Sequence, residues 1–181
     1  MHELLKLTQM PVNMCTPRMH EDATGIPDVD AAHVMDINLK TTILINQRVS
    51  RIMMKNKSGR IINISSVDSV VVSKGAERAV YSTAKAAVNH WTRMLASEMQ
   101  PYNVNVNAIR PGATRTGRFM FNARAGAQGD WITKLATGGT LDRVATVDEV
   151  ARLVDFFAGA GGAFVTGQVL GVDGGASLSI K

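Results

Sequence analysis

From about Asp28 onward the sequence alternates between two periodicities, and this restricts the possible folds more than any other feature. Val34, Ile37, Thr41, Leu44, Ile45, Val49 and Ile52 recur at three- and four-residue steps, as on one face of a helix, until Ser58-Gly59 ends the run. Arg60 to Ser65 is then a short β-branched run suited to a buried strand. A polar loop with Gly75 leads to a second helical stretch from about Ala79 to Met99, stopped by Pro101. Asn103 to Ile109 is strand-like and is closed by Pro111-Gly112. Residues 113 to 140, rich in Gly, Arg and Thr, read as a long loop with some local helix. Thr146-Val-Asp-Glu149 has capping-box spacing and opens a helix through about Phe157. Glycines at 159, 161 and 162 end that helix, and Gln168 to Val172 supplies a last strand. Helices separating short buried strands point to an α/β protein with a parallel sheet. Residues 1–27 contain Pro11, Pro17 and Pro27, follow neither period and read as an irregular segment, and no internal repeat is visible.

Composition excludes several classes. With 181 residues, 45% of them hydrophobic and 19% charged, the chain is long enough for one packed domain and unlike a disordered or fibrous sequence. Its apolar runs are too short to span a membrane, and Met-His-Glu-Leu-Leu-Lys at the N-terminus interrupts its apolar character too early for a signal peptide. Cys15 is the single cysteine, so an internal disulfide and a cysteine-built metal site are excluded. A reducing, cytoplasmic setting follows as the expectation. The net charge of +5 is concentrated in two acid-free stretches, one holding Arg48, Arg51, Lys55, Lys57 and Arg60, the other Arg110, Arg115, Arg118 and Arg124. The first fits the solvated C-terminal end of a long helix, where cations complement the dipole. Aromatic residues make up only 5% and are not interleaved with these cations, which argues against nucleic acid as a partner.

Phosphate-binding signatures are missing from the glycine pattern. None of the 16 glycines forms G-x-G-x-x-G, because Phe164 stands where the run from Gly159 needs its third glycine. Gly112-Ala-Thr-Arg-Thr-Gly117 follows a strand as a P-loop does, but Arg118 and Phe119 replace the Lys and Ser/Thr that such a loop requires. The stronger signal is Tyr81-Ser-Thr-Ala-Lys85. Residues four apart share a helix face, and a neighbouring ammonium favours the phenolate form of a tyrosine, moving it toward use in proton transfer. Such a pair alone is most often an amphipathic surface pair. Here, however, Ser65-Ser66 falls at the carboxyl end of a strand, where open parallel sheets bind ligands. Asn38 lies on a helical segment otherwise patterned for burial. Taken separately, Ser66 reads equally as a cap and Asn38 as an amide bonded to a carbonyl.

Five ordered blocks give the chain a resemblance to the short-chain dehydrogenase/reductase family from about Val34 to Ser177. They are the Asn38 helix, Gly59-Arg-Ile-Ile-Asn-Ile-Ser-Ser66, the Tyr81-x-x-x-Lys85 helix, Val106-Asn-Ala-Ile-Arg-Pro-Gly112, and Thr166-Gly-Gln-Val-Leu-Gly-Val-Asp-Gly-Gly175. The resemblance implies a Rossmann-like, doubly wound parallel sheet in three α/β/α layers. It also implies an oxidoreductase that uses NAD or NADP on a small-molecule carbonyl or secondary alcohol. Tyr81 is then the general acid/base, Lys85 holds the nicotinamide ribose and lowers the Tyr81 pKa, and Ser66 binds the substrate oxygen. Asn38 holds a water that links Lys85 to solvent. Pro111, Gly112 and Thr116 match the motif that contacts the nicotinamide side of the cofactor. Residues 115–140 become the substrate loop, where Arg115, Arg118 and Arg124 are expected to favour an acidic substrate. The two long helices are expected to join copies into a homo-oligomer, with Ala84, Ala86, Ala87 and Ala96 allowing close packing.

One departure from the family pattern is large. The family begins with a strand, a T-G-x-x-x-G-x-G turn and further strand–helix units, whereas only 37 residues precede Asn38 and the first glycine is Gly25. The expectation is therefore an N-terminally incomplete fold in which residues 28–181 form the later part of one domain. Two functional readings remain open. One is a nicotinamide-dependent oxidoreductase; the other is a fragment or oligomerising module without turnover.

Overall fold

The structure is a computed structural model that describes residues 28–72, 79–117, 141 and 143–178. Helix α1 (Asp28–Met35) runs through a π turn at Asp36–Lys40 directly into α2 (Thr41–Asn56), and Lys57 in a left-handed conformation stops it. Strand β1 (Gly59–Ile64), helix α3 (Ala79–Met99) and strand β2 (Val104–Pro111) follow. Helix α4 (Val147–Ala158) leads to β3 (Val169–Val172). The three strands are parallel in the order β1-β2-β3, with Ile61 opposite Val106 and Ile109 opposite Leu170. Expected irregular residues 1–27 and most of the expected loop at 113–140 lie outside the described residues.

Alternation along β2 separates the two faces of the sheet. Val104 and Val106 face a core made with Val49 and Met53 of α2, Ile61 of β1, and Leu95, Ala96 and Met99 of α3. Asn105 and Asn107 point the other way and donate to the carbonyls of Gly162, Ala163 and Val165, just beyond α4. Phe157 of α4 is almost fully buried. The result is the three-layer α/β/α arrangement expected, with α2 and α3 on one face and α4 on the other. The capping box at Thr146 is formed as read: its hydroxyl accepts from Glu149 N, and the Glu149 carboxylate accepts from Thr146 N.

The first helical run departs from its expected phase. Ile52 lies five full turns after Val34 at about 3.6 residues per turn, so a regular helix would bury both. Val34 is buried, but Ile52 is 51% exposed and Met53 takes its place. The π turn accommodates about one extra residue and so rotates everything after it by roughly one position. Asn46, Val49, Ser50 and Met53 are therefore turned inward, while Leu44 is turned out at 47% exposure. Asn46 is made safe there by accepting the indole N–H of Trp91 at 3.0 Å, which ties α2 to α3. The alanine expectation also needs correction. Ala84 and Ala96 are buried within this chain and cannot serve as open contact points for a partner.

Candidate active site

The carboxyl end of β1 meets the N-terminal half of α3 along a seam of polar contacts. At the strand end, the Ser65 amide continues the ladder by donating to Ile109 O at 2.7 Å. The Ser65 hydroxyl donates to Lys85 O at 3.1 Å, and Lys85 Nζ donates back to Ile64 O at 3.0 Å. One turn earlier on the same helix, Tyr81 is also buried, with Lys85 Nζ 5.7 Å from its ring centroid. This is not the solvated surface pair that a Tyr and a Lys four apart usually form, because Lys85 is only 4% exposed. Burial disfavours the charged amine and lowers its pKa from 10.5 to about 8.

Ser66 follows immediately in an extended conformation and caps the short turn Val67–Ser69, its hydroxyl oxygen accepting from Asp68 N at 3.2 Å. The capping role read as an alternative is therefore real. It uses an acceptor position of the hydroxyl, which is also a donor. Asn38 sits buried in the π turn. Its side-chain amide donates to Val34 O at 3.0 Å, and its own carbonyl accepts from the Thr42 hydroxyl at 3.1 Å. The other role read for Asn38, an amide bonded to a carbonyl, is thus also present. π turns of this kind recur at functional sites.

At the end of β2, Gly112 N donates to Val172 O at 2.9 Å and brings the two strand ends into close approach. A Cβ on Gly112 would lie 2.8 Å from Asp173 Cα, so this position must be glycine for packing alone. Arg115 and Thr116 are exposed beyond it, while Arg118 and Arg124 lie outside the described residues. Pro111 closes β2 opposite Val172. The structure thus places Ser66, Tyr81 and Lys85 along one seam and Pro111 and Gly112 at the end of the neighbouring strand.

Two polar residues of this seam, Ser69 and Asn89, were not expected from the sequence, whereas Ser65 was marked by its place at the strand end. Ser65, Ser69 and Asn89 bond within it, and Asn63 donates to Thr92 of α3 at 3.0 Å further down. The signal for Asn89 was present: it lies four residues after Lys85, on the face already marked by Tyr81. Among the described residues no group of three or more His, Cys, Asp or Glu side chains is placed to hold a metal, and no helix is long and apolar enough to cross a membrane.

Comparison with known proteins bears on the family of the chain. Residues 12–177 match the family described as enoyl-(acyl carrier protein) reductase. An acetoacetyl-CoA reductase from Acinetobacter is 38% identical over 144 residues, which is 80% of this chain and 55% of the relative. An NAD-dependent glycerol dehydrogenase from Listeria innocua is 34% identical over 160 residues, 87% of this chain and 60% of the relative. The solved structure of a short-chain type dehydrogenase/reductase from Mycobacterium ulcerans superposes with a TM-score of 0.79 at 28% identity, covering 90% of this chain and 57% of that one. The chain therefore spans little more than half the length of these relatives. With its three-layer parallel fold, its ordered motifs and a family match over most of its length, this chain belongs to the short-chain dehydrogenase/reductase family.

Proposed function

We propose that the site interconverts a carbonyl and a secondary alcohol with NAD or NADP, Tyr81 acting as general acid/base. The observation that carries this reading is the burial of the Tyr81 and Lys85 side chains one turn apart at the carboxyl edge of the sheet, with Lys85 bonded to Ile64 and Ser65 directly before Ser66. The residues present fit the nicotinamide-ribose end of such a cofactor. Lys85 and Tyr81 offer hydrogen-bond donors to ribose hydroxyls, and the strand-end segment Pro111-Gly112 with Thr116 offers backbone and hydroxyl groups to the carboxamide side. Among the described residues no glycine-rich turn opens a helix where a pyrophosphate would sit. When bound, the cofactor supplies or takes up the hydride.

The chain's own residues handle the proton and the developing charge. Tyr81 gives its phenolic proton to the substrate oxygen in reduction and removes it in oxidation. The Ser66 hydroxyl donates to the same oxygen and stabilises its negative charge. Protonated Lys85 favours phenolate at Tyr81 and binds ribose. Asn38 holds the water through which Lys85 exchanges protons with solvent. Arg115, Arg118 and Arg124 supply the positive charge that favours an acidic substrate. Consumption of reduced cofactor with a panel of small ketones and 3-oxoacyl thioesters tests the reading, and turnover above the cofactor-only background is expected. Neutralising all three arginines should then raise KM for the charged members only.

The rival reading, an assembly module without turnover, has its own support. Leu44, Ile52 and Met94 stand about half exposed on α2 and α3, and β1 forms an edge of the sheet among the described residues. We propose that copies associate through these helices whether or not the site turns over. Sedimentation should give a mass of two chains or more, falling to one chain for Ile52→Arg combined with Met94→Arg. A monomeric wild-type chain would refute the association.

A further inference from the structure

Tyr81, Lys85 and Asn89 occupy successive turns of one face of α3, and all three are buried. Asn89 Nδ2 donates to the Ser69 hydroxyl at 2.8 Å, and that hydroxyl donates onward to Ser66 O at 2.6 Å. The Ser69 amide also donates to Ser66 O, at 3.0 Å. A continuous path thus runs from the helix that carries Tyr81 to the backbone of the residue that carries the hydroxyl. We infer that Asn89 and Ser69 are positioning residues: they fix the Ser66 backbone to α3, in register with Tyr81. The inference rests on the oxidoreductase reading for its consequence in catalysis, though the fixing of Ser66 is independent of it.

Three observations favour positioning over simple packing. The oxygen Asn89 Oδ1 is buried without a partner, a situation that disfavours Asn relative to an apolar side chain of similar volume. A leucine would fill the same space on a helix whose neighbouring residues Val88, Leu95 and Ala96 are apolar. The amide that does have a partner is directed at the loop following β1 and not at another helix. Lys85 is already tied to Ile64 and Ser65, and both lie before Ser66 and the turn at Val67–Ser69. The Asn89–Ser69 path joins α3 to Ser66 itself and to the turn after it.

The test uses Asn89→Leu, Ser69→Ala, their combination, and Ser69→Thr on the full chain. Amide hydrogen exchange is read first because it needs no turnover. Exchange at Asp68 and Ser69, whose amides bond to Ser66, should quicken about tenfold in Asn89→Leu and Ser69→Ala, as one lost hydrogen bond implies. The β2 amides of Val106 and Ala108 should be unchanged, which excludes a general loss of stability. Ser69→Thr retains the hydroxyl and should behave as wild type. Given a catalytically active chain, the first two variants should lower kcat by tenfold or more with KM for cofactor unchanged. The combination should be no worse than either alone, because both act through one path. Unaltered exchange at Asp68 and Ser69 overturns the inference, as does wild-type kcat in Asn89→Leu. A wild-type chain with no turnover but with accelerated exchange in the variants supports the fixing of Ser66 and removes the oxidoreductase reading alone.

Discussion

Tyr81→Phe is expected to lower kcat for carbonyl reduction by about 10³-fold, within the range that a positioned proton donor contributes. The substitution keeps the buried ring and its place over α3, removing only the hydroxyl, so packing next to Ala84 and Lys85 is preserved. Cofactor affinity should change by no more than a few-fold, because the proposed contacts of Lys85 and the strand-end segment are untouched by the substitution. Steady-state kinetics and a cofactor titration on the same preparation separate the two effects. Activity within tenfold of wild type would mean that the proton comes from another group and would remove Tyr81 from the mechanism.

Lys85→Met should move stability and activity in opposite directions. The buried amine has its folded-state pKa lowered to about 8 by desolvation, against 10.5 for the ordinary value. The unfolded chain therefore binds more protons than the folded chain between those two values, and stability rises with pH across that window. Below about pH 8 the charged form carries the full burial penalty, on the order of 3 kcal/mol. Methionine removes that penalty and loses the bond to Ile64 O, which offsets about 1 kcal/mol. The net gain of roughly 2 kcal/mol at pH 7 corresponds to a thermal midpoint about 4–8 °C higher for a chain of this size. The rise in stability between pH 8 and 10.5 should vanish in the variant. Turnover should be lost, since Lys85 is the ammonium that lies beside the Tyr81 ring. A variant less stable than wild type at pH 7 would show that Lys85 is held as a favourable ion and that its burial is already compensated.

The parts of this protein that were readable from sequence are those fixed by local chemistry. β1, α3 and β2 lie within a residue or two of their expected positions because β-branched runs, Pro101 and Pro111-Gly112 act over a few residues. The capping box placed α4 for the same reason. The phase of α2 was not readable, because a π turn inserts its rotation without leaving an apolar signature. Asn38 is the residue at its centre, and a helical projection at a constant angle per residue places Ile52 inside and Asn46 outside, the reverse of what is found. At the site, the i to i+4 spacing marked Tyr81 and Lys85, but their burial depends on β1 lying across α3, a long-range fact. Asn89 shares the face marked by Tyr81 and Lys85, but its pairing with Ser69 was invisible for a related reason. The two are twenty residues apart and meet only when the turn after Ser66 folds back on the helix.

The function of this chain, with a length little more than half that of its relatives, turns on whether it binds a nicotinamide cofactor through the seam at Tyr81 and Lys85. Thermal unfolding of the purified chain titrated with NADH and with NADPH measures this. A ligand that binds only the folded form raises stability by about 2.7 kcal/mol at a hundred times its Kd. The predicted result is a midpoint that climbs with the concentration of at least one of the two cofactors, more weakly in Lys85→Met. A midpoint unmoved by either cofactor at millimolar concentration would contradict the account and leave the chain as an assembly module built on a dehydrogenase fold.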